Sequence, residues 1–168
     1  SPEATVVLMR PTRKRPEPAH ETTTRSDSTG DGTITARGGA KGIVTKAAEV
    51  AIAASAEAGG RRARVTSAQR TGRNAVTVSV NQSDHARDDA TQAARDIAVP
   101  GVSTPSKELD RAVVAVGRAF GRDFGSGTRR ISESFTWRGY RIQIIYRTPD
   151  GSDYGNHMDH VHVGARKA

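Results

Sequence analysis

Five histidines, His20, His85, His157, His160 and His162, are the side chains here best suited to chemistry near neutral pH, and three of them fall within six positions. In an extended strand, residues two apart share a face, so His160 and His162 point one way while Val161 and Val163 point into a core. Two imidazoles side by side suit a metal, or one ligand with one catalytic base beside it. A solvated strand face is the bland alternative, but the interleaved valines put these histidines in strand register. His157 lies just before the strand, where a loop can carry it to the same opening. Upstream, Ser83-Asp84-His85 follows an extended segment, and Asp96 sits among the small and apolar residues Ala93, Ala94, Ile97 and Ala98. Such a carboxylate is expected to be partly buried and to need a partner, either a metal or an arginine such as the adjacent Arg95. His85, Asp96 and His162 together make a two-histidine, one-aspartate donor set. With one position left open for water, that is the arrangement of catalytic rather than structural zinc.

The elements that must position these residues are legible from periodicity. Residues 41–58 carry Ile43, Ala47, Val50, Ala51 and Ala54 at helical spacing, with Gly59-Gly60 as a stop. Arg64 to Ala68 predicts a strand, Thr71 to Asn74 a turn, and Ala75 to Val80 another extended stretch with Val76, Val78 and Val80 alternating. A second helix is expected with Thr104 as its cap and Pro105 as its first residue. Its stripe is Leu109, Ala112, Val113, Val116 and Phe120, and Gly121 ends it. Phe135 to Trp137 and Tyr140 to Tyr146 predict two strands around Arg138-Gly139. A polar loop from Thr148 to Asn156 precedes the last strand, His160 to Val163. The expected fold class is α+β, a small antiparallel sheet covered by helices.

Residues 1–37 predict a flexible tail or linker, rich in Pro, Ser and Thr, with a basic triplet Arg13-Lys14-Arg15, and residues 38–168 the folded domain. The run Val6 to Met9 is the one stretch there able to add a strand. The chain begins at Ser1, so a processed product or a piece of a longer polypeptide is expected, and no targeting signal is visible. No apolar run is long enough to span a bilayer. The absence of cysteine excludes disulfides, thiolate-bound metal and thiol catalysis. Six basic and five acidic residues in the tail leave +7 of the net +8 on residues 38–168. A basic surface attracts polyanions, whether nucleic acid, anionic membrane or wall polymer.

Ser83-Asp84-His85, Ala94-Arg95-Asp96 and His160-Val161-His162 resemble the zinc-binding segments of the LAS metallopeptidases, which include D-Ala-D-Ala peptidases, lysostaphin-type enzymes and the hedgehog signalling domain. The spacing His157-Met158-Asp159-His160-Val161-His162 resembles the penicillin-insensitive murein endopeptidase branch, in which a histidine stands where other branches place a glutamate. The stretch from Phe135 to His162 is also similar to C-terminal peptidase-like domains of phage tail and actinobacterial proteins. The resemblance implies a hedgehog-like fold over roughly residues 40–165, with Zn2+ held by His85, Asp96 and His162. It further implies His160 and His157 as the catalytic or transition-state-stabilising pair, and Arg70 and Ser83 as contacts to substrate. The separation of His85 from Asp96 is wider than in the D-Ala-D-Ala branch, which leaves Asp88 or Asp89 as alternative ligands.

The expected activity is therefore zinc-dependent hydrolysis of amide bonds in the stem peptides or cross-links of peptidoglycan. A protein of that kind works outside the cell, facing the wall or carried on a virion, within a larger phage-tail or secreted assembly. Asp159 is expected on the opposite strand face from His160, as a structural residue or a partner for a neighbouring imidazole. Trp137 and Tyr154 could line the groove, with core packing the commoner job for Trp137. Two rivals remain: a zinc-binding module of the same fold that does not turn over, and a basic structural or nucleic-acid-binding component of a phage-like particle.

Overall fold

In a computed structural model, which describes residues 22–23, 30–68, 84–149 and 156–168, the apolar periodicities become two helices and one sheet. Helix α1 (Gly39–Glu57) buries Ile43, Val44, Ala47, Ala48, Ala51 and Ala54 along one stripe. No side chain caps its start. Instead the N–H groups of Ala40 and Lys41 donate to the carbonyls of Ala90 and Asp89, at 2.8 and 3.0 Å. This close approach needs Gly39, where a Cβ would stand 2.5 Å from the Ala90 oxygen.

Helix α2 (Lys107–Ala119) carries the expected stripe, with Leu109, Ala112, Val113 and Val116 buried. Its cap is Ser106 rather than Thr104, because the Ser106 hydroxyl accepts the Leu109 N–H at 3.2 Å and Pro105 therefore lies outside the helix. At the other end, Gly121 takes a left-handed conformation. The N–H groups of Gly121 and Arg122 then close on the carbonyls of Arg118 and Gly117, at 3.0 and 2.7 Å.

The strands are β1 (Thr22–Thr23), β2 (Arg64–Ser67), β3 (Gln92–Ala98), β4 (Ile131–Trp137), β5 (Tyr140–Tyr146) and β6 (His160–Lys167). Their order is β1-β4-β5-β6-β3-β2. Strands β2 to β6 form a five-stranded antiparallel sheet, and the short β1 adds a parallel pairing on β4 at Thr22 and Ser134. Arg138 and Gly139 both have positive φ, 49° and 82°, the turn whose twist matches that of a two-residue hairpin. Strand β4 begins at Ile131 rather than Phe135, and β6 continues to Lys167 rather than stopping at Val163. Strand β3 had no signature of its own.

Both helices pack on one face of the sheet. There Ile97, Phe135, Trp137, Ile142, Ile144, Tyr146, Val161 and Val163 join the helical stripes in a single core. Each large side chain so buried contributes about 1.5–3 kcal/mol. Ile34, within the stretch read as tail, is 1% exposed and belongs to that core. Trp137 is likewise a core residue, its ring 5.2 Å from that of Phe120. The run Val6 to Met9, the basic triplet, the turn at 71–74, the extended stretch 75–80 and Tyr154 lie outside the described residues. Among the described residues no helix is long and apolar enough to cross a membrane.

Candidate metal centre

The face of the sheet turned away from the helices carries the histidines. Pairing of β3 with β6 sets Asp96 directly opposite His162 and Ala98 opposite His160. Strand parity then gives Asp96, His160 and His162 one face, while Ile97, Val161 and Val163 take the core face. Register alone thus brings together two residues 66 positions apart in sequence.

His85 arrives from a different direction, on a single 3-10 turn at Asp84–Ala86. The seat of that turn is β6. A Cβ at Gly164 would lie 2.2 Å from Asp84 Oδ2, so the glycine makes room for the carboxylate that anchors the turn. Arg166, on the same strand face, donates from Nε and Nη2 to Asp84 Oδ1 at 3.0 and 2.6 Å. His85 is then held between two oxygens. Its Nδ1 meets the carbonyl of Ala68, and its Nε2 lies 3.1 Å from Asp96 Oδ1. His162 Nδ1 lies 3.1 Å from the same Asp96 oxygen.

His85, Asp96 and His162 are 1%, 4% and 5% exposed, and one donor atom from each lies within 4.8 Å of the others. This buried group could hold a metal ion. Burial alone would push the Asp96 carboxyl up, but hydrogen bonds from His162 and His85, and their charges, outweigh it and hold the group well below the usual carboxylate range. His162 Nε2 is buried and has no hydrogen-bond partner among the described residues.

The tautomer of His85 sharpens the point. A carbonyl oxygen can only accept, so Nδ1 carries the proton, and in a neutral ring Nε2 is then a bare lone pair. In that state it would face a carboxylate oxygen. Two acceptors 3.1 Å apart need a positive centre between them, either a second ring proton or a cation.

Two further imidazoles line the same centre. His160 Nε2 is 3.9 Å from Asp96 Oδ2, while its Nδ1 bonds Asp159 Oδ1 at 2.8 Å. The parity argument for Asp159 fails because β6 begins at His160, which leaves Asp159 free of strand geometry and able to turn back onto the ring. The ring of His157 lies 4.7 Å from that of His160 and 5.5 Å from that of His162. Two backbone hydrogen bonds place it, Arg147 N–H to the His157 carbonyl at 2.7 Å and His157 N–H to the Thr148 carbonyl at 2.8 Å.

The alternatives raised by the sequence meet different fates. Arg95 does not pair with Asp96. It lies on the opposite strand face and donates to Asp88 at 2.9 Å, and Lys41 stands 3.8 Å from the other Asp88 oxygen. Asp89 closes its own turn by accepting from Thr91 and Gln92. Neither acid reaches the centre. Arg70 and Ser83 lie outside the described residues, as does His20. Sequence reasoning missed the seating role of Gly164 and Arg166, because the last strand is expected to end at Val163 and a glycine beyond it gives no sign of a close approach. Compared with family models, with curated proteins and with solved structures, the chain matches none.

Proposed function

We propose that His85, Asp96 and His162 hold a zinc ion and that the protein hydrolyses peptide bonds in bacterial cell wall. The observation that carries this reading is the convergence of His85 Nε2 and His162 Nδ1 on one buried Asp96 oxygen, each 3.1 Å away, with His85 Nδ1 tied to the Ala68 carbonyl. A ligating histidine characteristically has its other ring nitrogen fixed in this way. The donor set suits zinc, since imidazole and carboxylate favour it and the sequence offers no thiolate. Atoms bound about 2.0–2.1 Å from a tetrahedral ion lie about 3.3 Å apart, close to the two separations of 3.1 Å. The hedgehog and D-Ala-D-Ala-peptidase type of fold is part of the same proposal, consistent with an α+β domain whose helices leave one sheet face to the site.

Zinc, when bound, supplies Lewis acidity at its open position, polarising a carbonyl and bringing the pKa of water there to about 7. The protein's own residues handle the proton. Asp159 holds the His160 Nδ1–H, so Nε2 is bare and directed at the centre. His160 Nε2 takes a proton from the attacking water and returns it to the departing amine. His157, its ring tilted against that of His160, holds the oxyanion or the peptide carbonyl through a ring N–H. The excess of basic residues on the domain suits stem peptides bearing free carboxylates in an anionic wall.

The test uses purified murein incubated with the full chain, with and without a chelator. New free amino groups should appear only while metal is present and return when zinc is restored. Stoichiometric zinc without any release of amino groups would leave a binding module. Absence of bound zinc would end the proposal.

A further inference from the structure

Arg147 is one of two described residues other than glycine with positive φ, at 63°, and its backbone is paired with that of His157. Unlike Arg138, it is not in a hairpin turn that calls for that conformation. A residue with a Cβ held there costs about 1 kcal/mol or more, and such strain persists only where surrounding contacts fix it. Here they are plain. Nη2 of Arg147 donates to Asp110 of α2 at 2.9 and 3.1 Å, and Nε donates at 3.3 Å. The Tyr146 hydroxyl donates to the same carboxylate at 2.6 Å, and the Ser106 N–H reaches that hydroxyl at 3.3 Å. The cap of α2, the end of β5 and the guanidinium are thereby tied into one knot.

The backbone of the strained residue leads to the centre. With its side chain fixed on α2 and φ reversed, Arg147 points its N–H at the His157 carbonyl, 2.7 Å away, and Thr148 accepts the His157 N–H in return. The His157 ring then stands against those of His160 and His162. A negative φ at 147 would redirect the peptide plane and unmake this pair of bonds.

We infer that Arg147, anchored by Asp110, is a positioning residue for His157, with its left-handed backbone holding that imidazole beside His160. Resting on the hydrolase reading, this assigns a role in the site to two residues that touch neither metal nor substrate, Asp110 lying on the helical side of the sheet.

The experiment compares Arg147→Gly, Asp110→Asn and Arg147→Lys with the native chain, all zinc-loaded, by NMR and by murein hydrolysis. Glycine permits the backbone conformation but lacks the anchor, and asparagine weakens the anchor at constant shape. Cooperative melting and full zinc content verify the fold in each case. The cross-relaxation between the ring protons of His157 and His160 should disappear in Arg147→Gly and weaken in Asp110→Asn, while contacts between His85 and His162 remain. Turnover should fall by roughly 10- to 100-fold with KM within about twofold, and Arg147→Lys should recover part of it. Retention of the His157–His160 contact in both of the first two variants overturns the inference. If the native chain releases no amino groups from murein, the hydrolase reading fails, yet the ring contact still decides whether Arg147 places His157.

Discussion

Two carboxylates stand on opposite faces of the same sheet, and the difference between them separates a structural cluster from a site. Asp110 accepts from the Tyr146 hydroxyl and from a guanidinium that is always charged, so every group around it is a donor. Burial, followed by the hydrogen bond and charge of Asp110, pushes the Tyr146 hydroxyl up, which keeps it a donor at any working pH. That cluster is complete in itself. Asp96 is more deeply buried and is met at one oxygen by two imidazoles, each 3.1 Å away. That cluster is built from groups that can also ligate a metal ion. Burial of a carboxylate does not by itself distinguish the two clusters; the chemistry of its partners does.

Changes on the Asp96 side should erase activity, and changes on the Asp110 side should cost stability and placement. The largest effect is expected from Asp96→Ala, which should lose stoichiometric zinc by elemental analysis and lower murein hydrolysis by roughly 10³-fold or more. Zinc retained at full stoichiometry in that variant would break the comparison at its root. Next comes Asp159→Ala, which frees the His160 ring to rotate or change tautomer. Turnover should drop roughly 10- to 100-fold while zinc content stays at that of the native protein.

Smaller still is Tyr146→Phe, which removes one donor and leaves Asp110 paired with Arg147. Denaturant unfolding should show a loss of about 1–2 kcal/mol, with zinc content unchanged. The smallest change sharpens the comparison with a third acid, Glu108. Burial raises its carboxyl, but backbone N–H groups of its own residue and of Arg61, with the charges of Arg61 and Lys107, outweigh that and hold it below the usual range. A group depressed in the folded state stabilises above its unfolded pKa and loses that contribution as pH falls through the folded value. Stability of the native chain should therefore decline through the acidic carboxylate range, and Glu108→Gln should flatten part of that slope in melts recorded against pH.

The sequence carried the helices and the central hairpin because their patterns are long or their turn chemistry is specific: the α2 stripe, Gly121, and Arg138-Gly139. It hid β3, since Gln92-Ala93-Ala94-Arg95-Asp96 favours a helix by composition, and burial on both faces removes the alternation that marks a strand. That single omission had a cost elsewhere. Had β3 been read as a strand, parity would have sent Arg95 and Asp96 to opposite faces and removed the salt bridge between them as an alternative. The start of β4 was obscured in the same way, because Glu133 interrupts the apolar series between Ile131 and Phe135. At the centre, residue types sufficed to nominate His85, Asp96 and His162, whereas their orienting partners are backbone atoms and distant side chains. Ala68 contributes only a carbonyl, and Gly164 contributes the absence of a methyl group. The first leaves no mark in residue type, and the second is read only once β6 is known to run past Val163.

The pairing of Asp96 with His162 by strand register has a consequence for how the protein reaches its native state. A slip of one residue between β3 and β6 would turn one of the two side chains toward the helices and dismantle the donor set. On the proposed reading, a divalent cation held there would favour a single alignment of these strands over every neighbouring one, and its binding energy would act as a proofreading step in assembly of the sheet.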